Sequence, residues 1–194
     1  MSLNNEDVIK IFKGTEALLE GHFLLTSGRH SNQYFQCAKV LQYPEYTSQI
    51  CSLIANHFKG FEIDTVIAPA MGGMIVGYEV ARQLNKRSIF TERENKEMTL
   101  RRGFSLSKDE KVLVCEDVVT TGGSVFEVID IVKKFGAEIV GVGSIVDRSN
   151  GKVDFGYEFF PSLRLNAVSY PPEDCAICKE GKLELVKPGS RKVF

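Results

Sequence analysis

Apolar and polar residues alternate along the middle of the chain with two different spacings. Helical spacing of apolar residues predicts helices at 6–19, at 46–58, from the loop at 70–73 to about Leu84, and at 124–135. Short apolar runs predict buried strands at 64–69, 87–92, 112–116 and 139–146. Because strands and helices alternate, we expect an α/β fold with a doubly wound, mainly parallel sheet flanked by helices.

The two ends of the chain do not follow this alternation. Residues 21–36 are typical of short extended segments around a Ser-Gly-Arg turn, and the helical signal ends after residue 151. We therefore predict one domain over residues 1–194, with a core at about 46–150 and a small hood built from about 1–45 and 151–194.

The composition limits what the protein attracts and where it works. Apolar residues make up 43% and charged residues 25% of the 194 residues, which is ordinary for a globular protein. The net charge of −1 gives no general attraction for nucleic acid or an anionic membrane, so any affinity for anions must be local. No apolar run approaches the roughly 18 residues that span a bilayer. An odd number of cysteines and an N-terminus without an apolar signal segment favour a reduced, cytoplasmic setting.

The stretch "VLVCEDVVTTGGS" at 112–124 joins a buried strand to groups that bind anions. Glu116 and Asp117 end the predicted strand, at the edge of a parallel sheet where ligands bind. The loop that follows opens a helix, whose free N–H groups and dipole favour a phosphate. The hydroxyl and glycine residues of this loop are Thr120, Thr121, Gly122, Gly123 and Ser124. The arrangement suits a sugar phosphate, with the acids at ribose hydroxyls or metal-bound water and the loop at the 5′-phosphate.

A simpler interpretation of Thr-Gly-Gly-Ser is a plain turn between strand and helix, with Ser124 as the N-cap. The paired acids directly before the loop favour the functional interpretation. Two other nucleotide-binding motifs do not occur in the sequence. There is no GxxxxGK[ST], and GxGxxG fails because Val146 takes the place of the third glycine after Gly141 and Gly143.

On these residues the chain resembles the type I phosphoribosyltransferases, which pass a ribosyl 5-phosphate group from phosphoribosyl pyrophosphate (PRPP) to a nitrogenous base. The resemblance implies that Glu116 and Asp117 act in catalysis by positioning the ribose and metal-bound water, and that Mg²⁺ enters with PRPP. It also implies that the loop at 120–124 binds PRPP. The stretch "APAMGG" at 68–73 is similar to the family's pyrophosphate loop, although a plain turn is the alternative. The PRPP contacts implied there are Ala70, Met71, Gly72 and Gly73.

Further segments, from about residue 20 to 151, resemble the orotate phosphoribosyltransferases in particular. The segment "FLLTSGRHSNQYFQ" is similar to one that covers the pyrimidine, which implies that Tyr34 and Phe35 bind orotate; core aromatics are the alternative. The turn "DRSNG" implies that Arg148 reads the orotate carboxylate, and a surface arginine is the alternative. Thr120 is implied to contact orotate as well. The implied reaction converts PRPP and orotate into orotidine 5′-monophosphate and pyrophosphate.

The strongly charged stretch at 93–110 resembles the family's catalytic loop, and its composition favours a mobile loop or a β-hairpin. Arg93 and Lys96 match loop lysines of the family, which implies catalytic roles for both. Two positions depart from the family, because Glu92 stands where an arginine is common and Met98 stands where a histidine is common.

Two further arginines, Arg101 and Arg102, could compensate for these departures, and Arg102 is a candidate for binding PRPP. Thr26 stands where many members carry a lysine. For each loop residue, a place in a solvated hairpin without a catalytic role is the alternative. In this family the loop reaches a neighbouring subunit's site, which implies a homodimer that shares the loop across its interface.

Three other functions compete with this one. They are a purine-specific phosphoribosyltransferase, a regulator that senses PRPP without chemistry, and a catalytically silent paralogue. The Ser-Gly-Arg segment and Asp147-Arg148 argue against the purine enzyme. Only about 20 residues precede the base-covering segment, which argues against an added DNA-binding domain. The missing loop histidine is the reason to consider a silent paralogue.

Cys175 and Cys178, in "CAIC", have the spacing of half a zinc site. No second pair follows in the sequence, and none of His22, His30 and His57 has an obvious reason to lie nearby. Structural thiols, a zinc half-site that a dimer could complete, and a redox pair therefore remain as alternatives.

Overall fold

The computed structural model describes residues 3–25, 28–166 and 168–188. The larger of its two sheets has six strands, whose spatial order is β5 (Glu97–Leu100), β4 (Arg87–Glu94), β3 (Thr65–Pro69), β6 (Lys111–Val119), β7 (Glu138–Asp147) and β8 (Phe159–Arg164). Neighbouring strands pair in parallel except for β4 and β5, which form an antiparallel hairpin. The predicted doubly wound, mainly parallel sheet is therefore confirmed.

Helices cover both faces of this sheet. The helices of the described residues are α1 (Asn5–Gly14), α2 (Ala38–Leu41), α3 (Pro44–Phe58), α4 (Gly72–Leu84), α5 (Gly123–Lys134) and α6 (Ala176–Glu180), with a 3₁₀ turn at Pro172–Asp174. The buried side chains of α1, α3 and α4 pack on one face, and those of α5 pack on the other. Along β6, Leu113 and Cys115 face the first core while Val112 and Val114 face the second. A strand that is buried on both faces reads as a continuous apolar run, which is why its sequence gave so clear a signal.

Two predicted boundaries are wrong, and one of them affects the site. The helix predicted at 6–19 ends at Gly14, where the Thr15 hydroxyl donates to the Ile11 carbonyl oxygen and Glu16 takes a left-handed φ of 57°. The apolar residues that follow continue the helical spacing but belong to the next strand. The strand predicted at 112–116 continues to Val119, so Glu116 and Asp117 lie inside β6 rather than at its end.

The smaller sheet forms a hood from both ends of the chain, with the strand order β1 (Leu18–Leu24), β2 (His30–Phe35) and β9 (Ser169–Tyr170). The segment around Val186 borders β1, since Leu24 N donates to Val186 O and Val186 N donates to His22 O, both at 2.8 Å. The predicted hood boundary needs one correction. Strand β8 pairs with β7 in the larger sheet, so residues 159–164 belong to the core.

The C-terminal segment also departs from the sequence prediction in two ways. It contains the short helix α6, which carries Cys178 and begins directly after Cys175. The expectation that no histidine lies near these cysteines is wrong, because β1 and β2 bring His22 and His30 within hydrogen-bonding distance of them. No helix in the described part of the chain combines the length and apolar character needed to cross a membrane.

Candidate functional site

The acid pair lies near the carboxyl end of β6, where Glu116 is buried and Asp117 is half-buried. Glu116 Oε1 accepts a hydrogen bond from Asp117 N (2.9 Å), and Asp117 Oδ1 accepts one from Val118 N (2.8 Å). Burial, and then the neighbouring Asp117 carboxylate, raise the pKa of Glu116 far above its ordinary value. This raised pKa favours the protonated form of Glu116 as long as no cation lies beside it.

The glycine loop at the start of α4 lies directly against these two acids. A Cβ atom built on Gly72 would lie 2.1 Å from Asp117 Oδ2, and one built on Gly73 would lie 2.8 Å from Glu116 Oε1. No side chain fits at either position while the acids keep their places. The peptide bond between Ala70 and Met71 is cis, and Ala70 N donates to Thr91 O (2.8 Å). The predicted PRPP loops and the acid pair therefore meet at one edge of the sheet.

The loop between β6 and α5 encloses a cavity of about 70 Å³. Glu116 lines this cavity together with Val118, Val119, Thr120, Thr121, Gly122, Gly123, Ser124 and Val125. Gly122 has a φ of 75°, and the first intrahelical bond of α5 is donated by Phe126 N to Gly122 O (2.9 Å). The backbone amides between these two residues precede that bond, so they are free to bind an anion.

Arg148 follows β7 and is held at the end of β6 by a bond from its backbone N to Val119 O (2.8 Å). Its half-buried side chain lines a small cavity with Leu18, Gln33, Phe35 and Leu165. Burial lowers the pKa of the Arg148 guanidinium, and Tyr34 acts in the opposite direction. Among the described residues, no carboxylate lies within ion-pairing distance of this guanidinium. A half-buried cation without a counter-ion in the described part of the chain is suited to an anionic ligand.

The two predicted orotate aromatics differ in their surroundings. Phe35 is 7% exposed and packs edge-on against Phe12, with the ring centroids 5.0 Å apart, so most of its surface belongs to the core. Tyr34 is half-buried and packs against Phe23 at 5.8 Å. Gln33, which the sequence analysis did not select, lines the Arg148 cavity. Gln33 could have been selected from the sequence only if the pairing register of β1 with β2 had been known.

The charged stretch forms the β4–β5 hairpin, which confirms one of the two predicted alternatives. Its turn consists of Asn95 and Lys96, both with left-handed φ values (51° and 73°), as a type I′ turn requires. Since Thr91 is level with Pro69 at the end of β3, the rest of β4 extends the hairpin beyond the carboxyl edge of the sheet. Lys96 at its tip is exposed and forms no ion pair with any described residue.

The other predicted loop cations are paired with acids of their own surroundings. Arg93 donates to both carboxylate oxygens of Glu127 on α5 (2.5 and 3.3 Å). Arg102 donates to Glu92 (3.0 Å), and Arg101 pairs with the same carboxylate at 3.3 Å. In this arrangement neither Arg93 nor Arg102 pairs with the acids of β6. Met98 is half-buried in β5 and packs against the α5 side of the core, and Thr26 lies outside the described residues.

Residues 38–159 match the family described as "Phosphoribosyl transferase domain". The chain is 57% identical to an orotate phosphoribosyltransferase of Desulforamulus reducens and 58% identical to one of Caldicellulosiruptor bescii, over 98% of this chain and 100% of each relative. Among solved structures, it is similar to the orotate phosphoribosyltransferase of Aeropyrum pernix. That match has a TM-score of 0.70, 25% identity, and covers 81% of this chain and 93% of the other.

Proposed function

The chain belongs to the orotate phosphoribosyltransferases, and we propose that it transfers the ribosyl 5-phosphate group of PRPP to orotate, giving orotidine 5′-monophosphate and pyrophosphate in pyrimidine biosynthesis. The observation that carries this proposal is the contact between the acid pair and the glycine loop, where a Cβ atom on Gly72 would overlap Asp117. Glu116 also lines the cavity of the loop at 120–124, so one pair of carboxylates joins two loops suited to anions.

The 5′-phosphate of PRPP is assigned to the loop at 120–124. The free amides at the start of α5 and the hydroxyls of Thr120, Thr121 and Ser124 all supply donors, and the positive end of the helix dipole favours negative charge. The pyrophosphate group is assigned to the loop at 70–73, whose glycines allow the backbone to approach it closely. The ribose then lies between the two loops, with its hydroxyls against Glu116 and Asp117.

The chemistry requires stabilisation of charge rather than a protein nucleophile. As the bond between ribose C1 and pyrophosphate breaks, the sugar gains oxocarbenium character and the leaving group gains negative charge. The carboxylates of Glu116 and Asp117 stabilise positive charge on the sugar while they hold its hydroxyls. Lys96 and the other cations of the hairpin would offset the charge on pyrophosphate once the hairpin lies over the site, and closure would exclude water that hydrolyses PRPP.

Mg²⁺ fits this edge of the sheet because it prefers oxygen ligands and binds through one or two carboxylates together with substrate phosphates. Glu116 and Asp117 are the residues that would hold it, and it would supply positive charge next to the leaving pyrophosphate. We expect no turnover in a buffer freed of divalent cations by a resin, and full recovery when Mg²⁺ alone is added. A resin is preferable to a strong chelator, which would also remove other metals from the protein.

Arg148 is the residue proposed to select orotate, because a guanidinium binds a carboxylate through two parallel hydrogen bonds and orotate carries the carboxylate that uracil lacks. The support is its half-buried side chain, which has no counter-ion among the described residues and shares a cavity with Gln33. Tyr34 and the exposed edge of Phe35 would border the pyrimidine ring, and Thr120 would reach it from the phosphate loop.

The function is tested with Mg·PRPP and four bases: orotate, uracil, adenine and hypoxanthine. We expect pyrophosphate release with orotate alone. Release with a purine would identify a purine enzyme instead, and binding of PRPP without turnover would identify a sensor or a silent paralogue. Arg148→Ala should raise the KM for orotate at least about tenfold, as loss of charged hydrogen bonds costs about 1.5–3 kcal/mol, and should leave the KM for PRPP nearly unchanged. Arg82→Ala is the matched control, since Arg82 is 57% exposed and pairs with Glu79 on α4.

A homodimer is also part of the proposal, and an exposed apolar surface on α4 supports it. Met71, Ile75 and Tyr78 are spaced along one face of the helix and are 81%, 46% and 64% exposed. This surface adjoins the glycine loop, so a second copy seated there would lie beside the site. Ile75→Asp is expected to convert the dimer to a monomer in sedimentation velocity, and an unchanged sedimentation coefficient would contradict this assignment.

Sharing of the hairpin between subunits has its own test, which mixes two variants of strongly reduced activity. Lys96→Ala and Asp117→Ala dimers are unfolded together and refolded. If the hairpin acts in the partner's site, mixed dimers contain one intact site, and about a quarter of wild-type activity returns. Hairpins that act in their own subunit would give no recovery, since every site would then carry one defect. A cytoplasmic location is proposed because none of the five cysteines forms a disulfide.

A further inference from the structure

Four side chains that play no part in the proposed reaction meet between the hood and the C-terminal segment. His22 lies on β1, His30 lies on β2, and Cys175 and Cys178 lie at the start of α6. We refer to them as the His₂Cys₂ cluster. Their four potential ligand atoms all lie within 4.8 Å of one another. Three of the residues are buried, with exposures of 4%, 6% and 0% for His22, His30 and Cys175.

Four of the six distances between ligand atoms of the cluster are close to those of a tetrahedral metal site. Zn–N bonds of about 2.0–2.1 Å and Zn–S bonds of about 2.3 Å at tetrahedral angles separate a nitrogen from a sulfur by about 3.6 Å, and two nitrogens by about 3.3 Å. His22 Nε2 lies 3.5 Å from Cys175 Sγ and 3.5 Å from Cys178 Sγ. His30 Nδ1 lies 3.2 Å from Cys178 Sγ and 3.1 Å from His22 Nε2. A zinc ion fits among these atoms with small adjustments.

Hydrogen bonds account for only some of the short contacts in this cluster at any one time, because its two thiols supply only two S–H donors. His22 Nδ1 lies 3.2 Å from the Leu183 carbonyl oxygen, which can only accept, so Nδ1 carries the proton and Nε2 of a neutral ring presents a lone pair. That single lone pair faces one nitrogen and two sulfur atoms, and it can accept well from only one of them. A cation among the four atoms would bind all of them at once. The carbonyl behind the ring also matches the usual support of a metal-binding histidine.

We propose that the His₂Cys₂ cluster binds one Zn²⁺ per chain in a structural site. Two thiolate sulfurs and two imidazole nitrogens in tetrahedral positions favour zinc over harder cations such as Mg²⁺, and four protein ligands leave no position open for substrate. The ion joins β1 and β2 to the start of α6. It therefore fixes the C-terminal segment, including the part around Val186 that borders β1, onto the hood.

This proposal is tested on the full-length protein, first by its metal content. Protein produced in medium that contains zinc and then desalted should hold one zinc per chain by mass spectrometry of the elements. Replacement of zinc by Co²⁺ should give the visible bands of tetrahedral cobalt and a thiolate-to-cobalt charge-transfer band. Since loss of an outer contact behind a ligand already lowers metal affinity about 10–100-fold, Cys178→Ser should weaken zinc binding by more than about 100-fold. Cys178 is exposed, so this variant is expected to fold.

The control is His57→Gln, which removes the third histidine of the chain. His57 stacks on Phe160 and pairs with Glu158 on the larger sheet's side of the molecule, so zinc content and cobalt spectrum should not change. The proposal fails if folded wild-type protein takes up neither zinc nor cobalt after reduction, or if Cys178→Ser retains the wild-type affinity. A disulfide between Cys175 and Cys178 in freshly isolated protein, seen as a loss of two hydrogens in the intact mass, would assign the pair to redox chemistry instead. Catalytic activity does not enter this test, so its outcome is independent of the reaction proposed above.

Discussion

The contact between Gly72 and Asp117 gives the sharpest test of the site. A methyl group at position 72 would place its carbon 2.1 Å from Asp117 Oδ2 and 2.6 Å from Asp117 Cγ. To reach ordinary contact, which begins at 3.4 Å, the carboxylate must retreat by about 1.3 Å. Gly72→Ala therefore moves one catalytic candidate without changing its chemistry.

The size of the effect follows from that displacement. A misplacement of about 1 Å in a catalytic group costs on the order of 100-fold in rate, which corresponds to about 2.7 kcal/mol of transition-state stabilisation. The stability of the fold should change much less. Position 72 begins α4, where alanine is preferred to glycine by up to about 1 kcal/mol, and this gain opposes the strain of moving one half-buried side chain.

The assay compares kcat/KM for orotate and for PRPP with the free energy of unfolding in urea. Gly72→Ala is expected to lose about 100-fold in kcat/KM while its unfolding free energy stays within about 1 kcal/mol of wild type. Gly60→Ala is the matched control, because a Cβ atom at position 60 meets no atom within 4 Å. It should leave both quantities unchanged.

A double-mutant cycle decides whether the loss acts through Asp117. In an Asp117→Ala background the added methyl group meets no carboxylate, so Gly72→Ala should cost less than about threefold there. If the fold-losses in kcat/KM of the two substitutions instead multiply, the methyl group acts on another part of the site. Wild-type kcat/KM in folded Gly72→Ala would refute the reasoning altogether, since the position of Asp117 would then not matter for catalysis.

Three further predictions concern stability and the hairpin. Hydrogen bonds from Arg82 hold the pKa of Glu79 at about 2 against an ordinary 4.5, so the stability from this carboxylate is present above pH 4.5 and lost as the pH falls through 2. Glu79→Gln should lower the unfolding free energy by about 1 kcal/mol at pH 7, a value kept small because solvent screens the exposed Arg82. An equal loss at pH 2 would show that the ionised Glu79 carboxylate is not the cause. A Cβ atom at Gly143 would lie 2.5 Å from Ile54 Cγ2, so Gly143→Ala should cost about 1–3 kcal/mol in urea unfolding, whereas an unchanged midpoint would show that α3 can move away from the sheet. Lys96→Gly suits the left-handed φ of 73° and should preserve the melting temperature while it lowers kcat, and unchanged kcat would remove Lys96 from the mechanism.

The sequence was sufficient for the centre of the sheet because β3, β6 and β7 are buried on both faces over most of their length. A short, continuous apolar run such as Val112–Val114 fits few positions in a fold other than a strand that is covered on both faces. It was insufficient at the end of α1, where Ala17 and Leu18 continue the helical spacing although they lie beyond the left-handed turn at Glu16. Burial rather than helix formation explains those two apolar residues, and a pattern of apolar positions cannot separate the two causes.

In the site, too, features that are local in sequence could be predicted, whereas contacts between distant residues could not. The acids and the loop at 120–124 form one contiguous motif and the loop at 70–73 forms another, so each could be recognised from its residue types and spacing. The pairing of Arg93 with Glu127 joins residues 34 positions apart, and the contact of His22 with Cys175 joins residues 153 positions apart. Both depend on how the hairpin and the hood fold against their neighbours, which no local motif encodes.

The construction of the hood from both ends of the chain has a consequence for protein synthesis. Strands β1 and β2 leave the ribosome early, but their neighbour β9 and the segment that borders β1 at Val186 are made last. The six-stranded sheet needs nothing beyond Arg164. The side of the enzyme assigned to the base is therefore the last to mature during translation, after the sheet that carries both PRPP loops is already complete.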